Sequence, residues 1–506
     1  MACTRCTRDN KKSSSILLVI IISVPALSPG WVYTQAQEEF LEAGEDTPHV
    51  QCDQEHGQQI DNSHTVLQKI AQLYAERLLS DITLDVGGRL FPAHRLILCA
   101  SSNVFQVMLM NPSWSEAQES LISLQEEPPC QEVFGDFLRY LYTGRVHLTH
   151  EMALPLLRLA DKYNVRDLLR LCTKYLCGHV VTAASFGQLV SWLHYTRLCY
   201  HGDIMATCQD FAIWNFERLA RSPDFHLLDL ELLVALLSNS SLVVRDETTV
   251  FYCAAEWLQA QEEKVEDNQE FRHLVCEVMS HVRFFMMSAK HLAALLLHPF
   301  TSRFKEIITE GMRLAMNFQS QRSLPQNCPP SALIPRLYTA EVWSVHWTLE
   351  NFPLLPAYGV STLMFSTPAS LVDMEAGPTY DWVLELYPKG VCFKRFYLLI
   401  VQGTLEMPEH VYKTVRLSLT LKDIADKIVR VNVGILIFSS QDGHEYIHKV
   451  IKKPFVFSND SRMLNIDDLI PYDELNHRTF TSPYLIGPAG DSLKIQIIIT
   501  PSSITS

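Results

Sequence analysis

The sequence predicts an α+β multidomain protein. It comprises an α/β unit over residues 64–177, an all-helical unit over 183–318 and an antiparallel β-sandwich over 336–501. Three observations predict this. An alternating strand, Asp81-Ile-Thr-Leu-Asp-Val86, sits among amphipathic helices. Apolar positions then recur with a helical period from residue 183 to residue 300. In the last third the period changes to two, with runs broken by Gly, Pro, Asn and Asp. The chain has 506 residues, too many for one hydrophobic core. Its 47% apolar and 19% charged residues suffice to bury several.

The N-terminal segment reads as a signal peptide. Arg5, Arg8, Lys11 and Lys12 form a positive region, and Ile16 to Val24 is an apolar run broken only by Ser23. Pro25, Ala26, Ser28, Pro29 and Gly30 follow, the small and helix-breaking residues that precede a cleavage site. The apolar run is shorter than the roughly 20 residues that span a bilayer. The segment, taken as residues 1–36, is therefore expected to be removed by cleavage near Gly30 or after Ala36, leaving a secreted or lumenal protein without a membrane span. Cys3 and Cys6 would leave with that segment. The other cysteines among the 13 are sparse and irregular, unlike a disulfide scaffold. Asn239-Ser-Ser241 and Asn459-Asp-Ser461 are glycosylation sequons in expected turns, whereas proline disqualifies Asn111-Pro-Ser113.

Residues 37–63 carry Glu38, Glu39, Glu42, Glu45 and Asp46 and read as an acidic flexible arm. From His64 to Leu79, Val66, Leu67, Ile70, Leu73, Tyr74 and Leu78 recur at helical spacing and make one amphipathic helix. After the Asp81–Val86 strand, Gly87-Gly88 supplies a hairpin turn and Arg89-Leu-Phe91 starts the return strand. The segment from Leu79 to Phe105 resembles the central signature of the BTB/POZ family. So do Phe137-Leu-Arg-Tyr-Leu-Tyr-Thr-Gly144 and Leu159-Ala-Asp-Lys-Tyr-Asn-Val165. The resemblance implies self-association, with Val66, Leu67, Ile70 and Leu73 at the dimer interface. It also implies that Asp81 and His94 belong to the buried polar part of the fold.

The helical stretches are Phe186–Leu198, Ile204–Leu219, Leu227–Leu237, Thr248–Leu258 and Phe271–Val282. The segment Leu232 to Leu258 resembles the BACK domain, which usually follows BTB. Asn239 is expected in a bend between two of these helices. Residues 319–335 are rich in Gln, Ser, Pro and Asn and read as a linker. In the last third, Val415, Leu417, Leu419 and Leu421 alternate with polar residues. Val429 to Ile437 and Leu493 to Ile499 do the same. This is sandwich patterning. Trp382-Val-Leu-Glu-Leu-Tyr-Pro-Lys-Gly390, with a strand expected around Tyr397–Val401, is similar to the TRAF/MATH family.

No enzyme signature holds: there is no phosphate-binding glycine loop, no G-x-S-x-G and no H-E-x-x-H. The 19 histidines are scattered, and no Cys/His quartet has zinc-ligand spacing. No catalytic residue, cofactor or metal is therefore expected. A net charge of −14 argues against a nucleic-acid partner.

The order of signal peptide, BTB, BACK and β-rich tail resembles the secreted galectin-3-binding protein group. This resemblance implies a non-enzymatic scaffold that self-associates and meets an extracellular protein or glycan. In the competing reading the chain is a cytosolic cullin-3 ubiquitin-ligase adaptor whose sandwich binds substrate. Trp114-Ser-Glu116 fits the hydrophobic-x-Glu motif that such adaptors carry after the signature.

Overall fold

The computed structural model describes residues 61–321, 330–371, 377–391, 412–423, 428–477 and 482–502. The signal-like residues 1–36, nearly all of the acidic arm and the strand expected around Tyr397–Val401 lie outside the described residues.

The first part begins with α1 (Ser63–Ala75), which no fully buried residue anchors. Strands β1 (Ile82–Val86) and β2 (Arg89–Ala93) pair antiparallel, Val86 facing Arg89. Gly87 and Gly88 close that hairpin at φ +60° and +80°. A two-residue turn of this hand needs such angles, and glycine adopts them without a Cβ clash. Helices α2 (Arg95–Ser101) and α3 (Asn103–Met110) follow, and β3 (Leu121–Leu124) returns parallel to β1. Helix α4 (Pro128–Thr143) starts at proline and stops at Gly144, whose φ of +62° ends the helix. Helices α5 (His150–Lys162) and α6 (Arg166–Gly178) complete this part. Its centre is aromatic: Phe105 stacks on Tyr163 at 4.5 Å, and Phe134 and Phe137 close around them.

The second part runs through α7 (Val180–Ser185), α8 (Leu189–Leu198), α9 (Gly202–Trp214), α10 (Phe216–Ala220) and α11 (Leu230–Ser238). It is not wholly helical. The pair Val243–Val244 forms a short strand, β4, before α12 (Glu247–Glu262), α13 (Asn268–Ser280), α14 (Ala289–Leu296), α15 (Pro299–Arg303) and α16 (Lys305–Gln321). The partner of β4 is β5 (Leu337–Tyr338), parallel to it and far away in sequence, so no local pattern announces the pairing. The segment 319–335 also departs from a plain linker. Helix α16 extends to Gln321 because Ile308, Met312, Ala315 and Phe318 are all buried on one face. A short 3₁₀ turn then covers Pro330–Leu333.

The third part is a two-sheet antiparallel sandwich. One sheet runs β11 (His444–Phe457), β10 (Val429–Gln441), β14 (Ser492–Pro501), with β13 (Leu485–Ile486) and β6 (Ser344–Leu349) both against β14. The other runs β12 (Met463–Ile466), β9 (Arg416–Leu421), β8 (Thr379–Tyr387), β7 (Ser361–Pro368). Alternate residues Val431, Val433, Ile435, Ile495, Ile497 and Ile499 face the sandwich core. Between them, Leu436 and Ile498 face the other way and join the apolar core of the helical part. Strands β10 and β14 are therefore buried on both faces, one against the partner sheet and one against the helical part. Gly434 marks the closest approach: a Cβ there would lie 2.6 Å from the Leu337 side chain. From Ser63 onward the three parts form one unit. Among the described residues no helix is long and apolar enough to cross a membrane.

Candidate functional site

Helix α1 carries the residues expected to mediate self-association, and it separates them. Ile70 and Tyr74 pack on the core side; the Tyr74 ring stacks on Tyr142 at 4.6 Å, and α1 lies along α4. Leu73 is half-buried. Val66 and Leu67, one helical turn before Ile70, are 52% and 53% exposed. Beyond the helix, Leu79 is 82% exposed and held at φ +58°. Such an angle is unfavourable for a branched side chain and persists only where surrounding structure imposes it. The C-terminal end of α1 and the start of β2 flank a cleft of about 310 Å³, lined by Tyr74, Arg77, Arg89 and Leu90 among others. Leu90 is itself 60% exposed. Large aliphatic side chains thus stand in water along and beside a helix whose inner face is already satisfied.

Asp81 and His94 are less buried than the family resemblance implies: Asp81 is exposed and His94 half-buried. Both are spent on structural hydrogen bonds. Asp81 Oδ1 accepts the Arg95 N–H at 2.8 Å, holding the first turn of α2. His94 Nε2 lies 2.7 Å from the Leu78 carbonyl, which can only accept, so this nitrogen carries the proton. Its Nδ1, 2.8 Å from Tyr142 Oη, then accepts the phenol proton. Burial pushes the Tyr142 hydroxyl up to about 12, so it stays protonated as this arrangement requires. Trp114 and Glu116 lie in the turn after α3, with Trp114 41% exposed and Glu116 half-buried.

The helical part and the sandwich meet across a polar seam. Arg336, 1% exposed, donates from Nε to Glu247 Oε1 at 2.6 Å and from its other nitrogens to the Asn239 and His281 carbonyls. Tyr338 donates its hydroxyl to the same Glu247 oxygen at 2.8 Å. Glu247 Oε2 accepts the Arg283 main-chain N–H at 3.1 Å. A wholly buried carboxylate is thus matched by a wholly buried guanidinium with its donors satisfied, the condition for tolerating such a pair. Farther along, the Asn215 amide accepts from Ile447 N at 2.8 Å and donates to Ile447 O at 3.1 Å. It does for edge strand β11 what a neighbouring strand would do. Thr182 and Gln441 add bonds to Asp442 and to the Gly178 carbonyl, so the β10–β11 hairpin reaches the end of the first part.

Of the two sequons, Asn459 is exposed in the turn between β11 and β12. Asn239 is half-buried at the end of α11, where its Oδ1 accepts the Ser241 N–H and its carbonyl accepts from Arg336. All eight cysteines among the described residues are free thiols. Burial pushes Cys130 up to about 11 and Cys172 up to about 12, which keeps both protonated and unreactive. Sequence reasoning missed one cluster, in which Asp161, Cys199 and His201 bring their donor atoms together. Its only local trace is the Cys-x-His spacing, since Asp161 comes from another helix.

Comparison with known proteins matches three family models in turn. These are the BTB/POZ domain at residues 70–180, BACK (BTB And C-terminal Kelch) at 189–297 and the BTBD17 TRAF domain at 333–503. All three are interaction domains. BTB/POZ domain-containing protein 17 of Homo sapiens is 29% identical over 344 residues, covering 66% of this chain and 68% of that protein. Its Mus musculus counterpart is 28% identical over the same length and coverage. Kelch-like protein 7 of Mus musculus is 27% identical over 218 residues, covering 43% of this chain and 35% of that protein. The chain thus carries BTB, BACK and TRAF-like domains in that order, and over 66% of its length it is similar to BTB/POZ domain-containing protein 17.

Proposed function

We propose that the protein is a non-enzymatic scaffold that self-associates through α1 of its BTB domain and presents its TRAF domain to a protein ligand. The observation that carries this reading is the exposed pair Val66 and Leu67 on a helix whose opposite face is packed. Complete burial of such side chains contributes about 1.5–3 kcal/mol each, and half-exposed ones regain roughly half of that in a dimer. An interface formed by the same patch on both copies is the commonest way to cover it. The seam of Glu247, Arg336 and Asn215 supports a fixed angle between BACK and TRAF domains. Each dimer would then hold two ligand-binding sandwiches on rigid arms.

Secretion is the compartment we favour. The charged and apolar order of residues 1–36 supports it, as does the open position of sequon Asn459. Its ligand would be an extracellular protein or glycan. The second reading, a cytosolic cullin-3 adaptor, has support of its own. The eight free thiols suit a reducing compartment, and Trp114 and Glu116 sit in a surface turn. Expression of the full chain in animal cells separates the two. Secretion predicts a product in the medium that shortens with N-glycosidase and begins after Gly30 or Ala36 rather than at Met1. A product confined to the cytosol and starting at Met1 would replace the secreted reading with the adaptor.

A further inference from the structure

Asp161, Cys199 and His201 have no part in the assembly described above. Asp161 lies near the end of α5, in the BTB domain. Cys199 follows the last residue of α8, and His201 precedes the first of α9, both in the BACK domain. Between them Tyr200 takes φ +57° and is 91% exposed, so the chain reverses in one residue and sets its neighbours toward Asp161. One carboxylate oxygen, the Cys199 sulfur and one ring nitrogen lie within 4.8 Å of one another.

His201 Nε2 is shut off from water and faces Asp161 Oδ2 at 3.4 Å, a pairing longer than an ordinary hydrogen bond. Tyr195 braces the group from one side, donating to Asp161 Oδ2 at 3.2 Å with its ring stacked toward His201. Arg158 lies over the Tyr195 ring and is ion-paired to Glu127.

We propose that Asp161, Cys199 and His201 bind a borderline-soft divalent cation of the zinc class at the junction of the BTB and BACK domains. Sulfur, imidazole nitrogen and carboxylate oxygen are the donor set that zinc takes, whereas magnesium and calcium prefer oxygen alone. Tetrahedral zinc with bonds of about 2.0–2.3 Å holds its donors roughly 3.5 Å apart, so the cluster needs to contract by about 1 Å. On binding, the Cys199 S–H bond gives its proton to solvent and the thiolate bonds the metal. The two negative ligands then cancel the ion's charge, and nothing is oxidised or reduced. A fourth position stays open for water. The ion would tie α5 to the α8–α9 turn and so fix the angle between self-association and presentation.

The test uses the full chain, freed of metal by chelation and titrated with zinc against a chromophoric chelator, then with cobalt. The expected result is one tight site per chain and a near-ultraviolet thiolate-to-cobalt band. Cys199→Ser should abolish the band and His201→Gln should weaken zinc binding at least tenfold. Cys276→Ser, at an exposed cysteine elsewhere, should change neither. Independently of any variant, zinc should protect Cys199 of the unaltered chain from alkylation, as mapped by mass spectrometry. No zinc uptake, a Cys199→Ser protein that titrates like the parent, or Cys199 alkylation unaffected by zinc would each overturn the proposal.

Discussion

Glu247 is the residue on which the seam between BACK and TRAF domains turns. It is buried to 1% and serves Arg336, Tyr338 and the main chain at Arg283 at once. Glu247→Gln keeps the shape and removes the charge, leaving the Arg336 guanidinium uncompensated. Breaking a buried pair in this way costs about 3–5 kcal/mol, so the urea midpoint should fall steeply; an unchanged midpoint would show that the network contributes nothing. Asn215 acts through geometry instead. Asn215→Leu leaves the N–H and C=O of Ile447 unpaired, for an expected loss of about 1–3 kcal/mol. Hydrogen exchange at the middle of β11 should report it, and equal protection there would contradict the role. Neither residue was legible in the sequence. Their partners lie 89 and 232 positions away, and an Asn or a Glu inside a helical run looks like solvated surface.

At the scale of elements, periodicity carried most of the information. The period-two runs Val429–Ile437 and Leu493–Ile499 became β10 and β14, whereas the run from His64 to Leu79 is helical only to Ala75 and that from Ile204 to Leu219 breaks at Asn215 into α9 and α10. What periodicity hid was the second buried face. Gln496 and Thr500 are 2% and 3% exposed, yet as polar alternates they read as solvent-facing; the Gln496 amide instead donates to the Thr339 carbonyl and to Ser344 Oγ. Gly434 sits at the tightest point of that face. Gly434→Val would drive two methyl groups into Leu337 and Ile498. Overpacking of this kind costs about 1–3 kcal/mol. A variant as stable as the parent in denaturant would mean that the sheet and the helices can part without loss. Helix α1 shows the complementary limit. Its apolar stripe was legible, but the division into core-facing Ile70 and Tyr74 and exposed Val66 and Leu67 depends on where α4 lies. The Cys199 and His201 cluster was illegible for the same reason, since α5 supplies its carboxylate.

For the molecule as a whole, burial holds His281, His346 and His448 below the ordinary imidazole range, and it outweighs the nearby carboxylates Glu277, Glu341, Glu445 and Glu474 that push the other way. A histidine with a depressed folded value binds its proton more readily when unfolded. It therefore adds stability that is complete above about pH 6.5 and is lost as pH falls through the folded values. Chemical denaturation at pH 7.5 and pH 5.5 should show the lower midpoint at pH 5.5, with a smaller drop in His448→Gln. Midpoints that do not differ would refute the linkage. From Ser63 onward the three domains form one unit, and the proposed self-association would couple two such units through their BTB domains. That design depends on α1, and sedimentation of the full chain tests it most directly. At micromolar concentration the protein should sediment at twice the mass of its own chain or more, and Val66→Asp with Leu67→Asp should return it to a folded monomer. A parent chain that sediments as a monomer, or a double variant that still associates, would contradict the account.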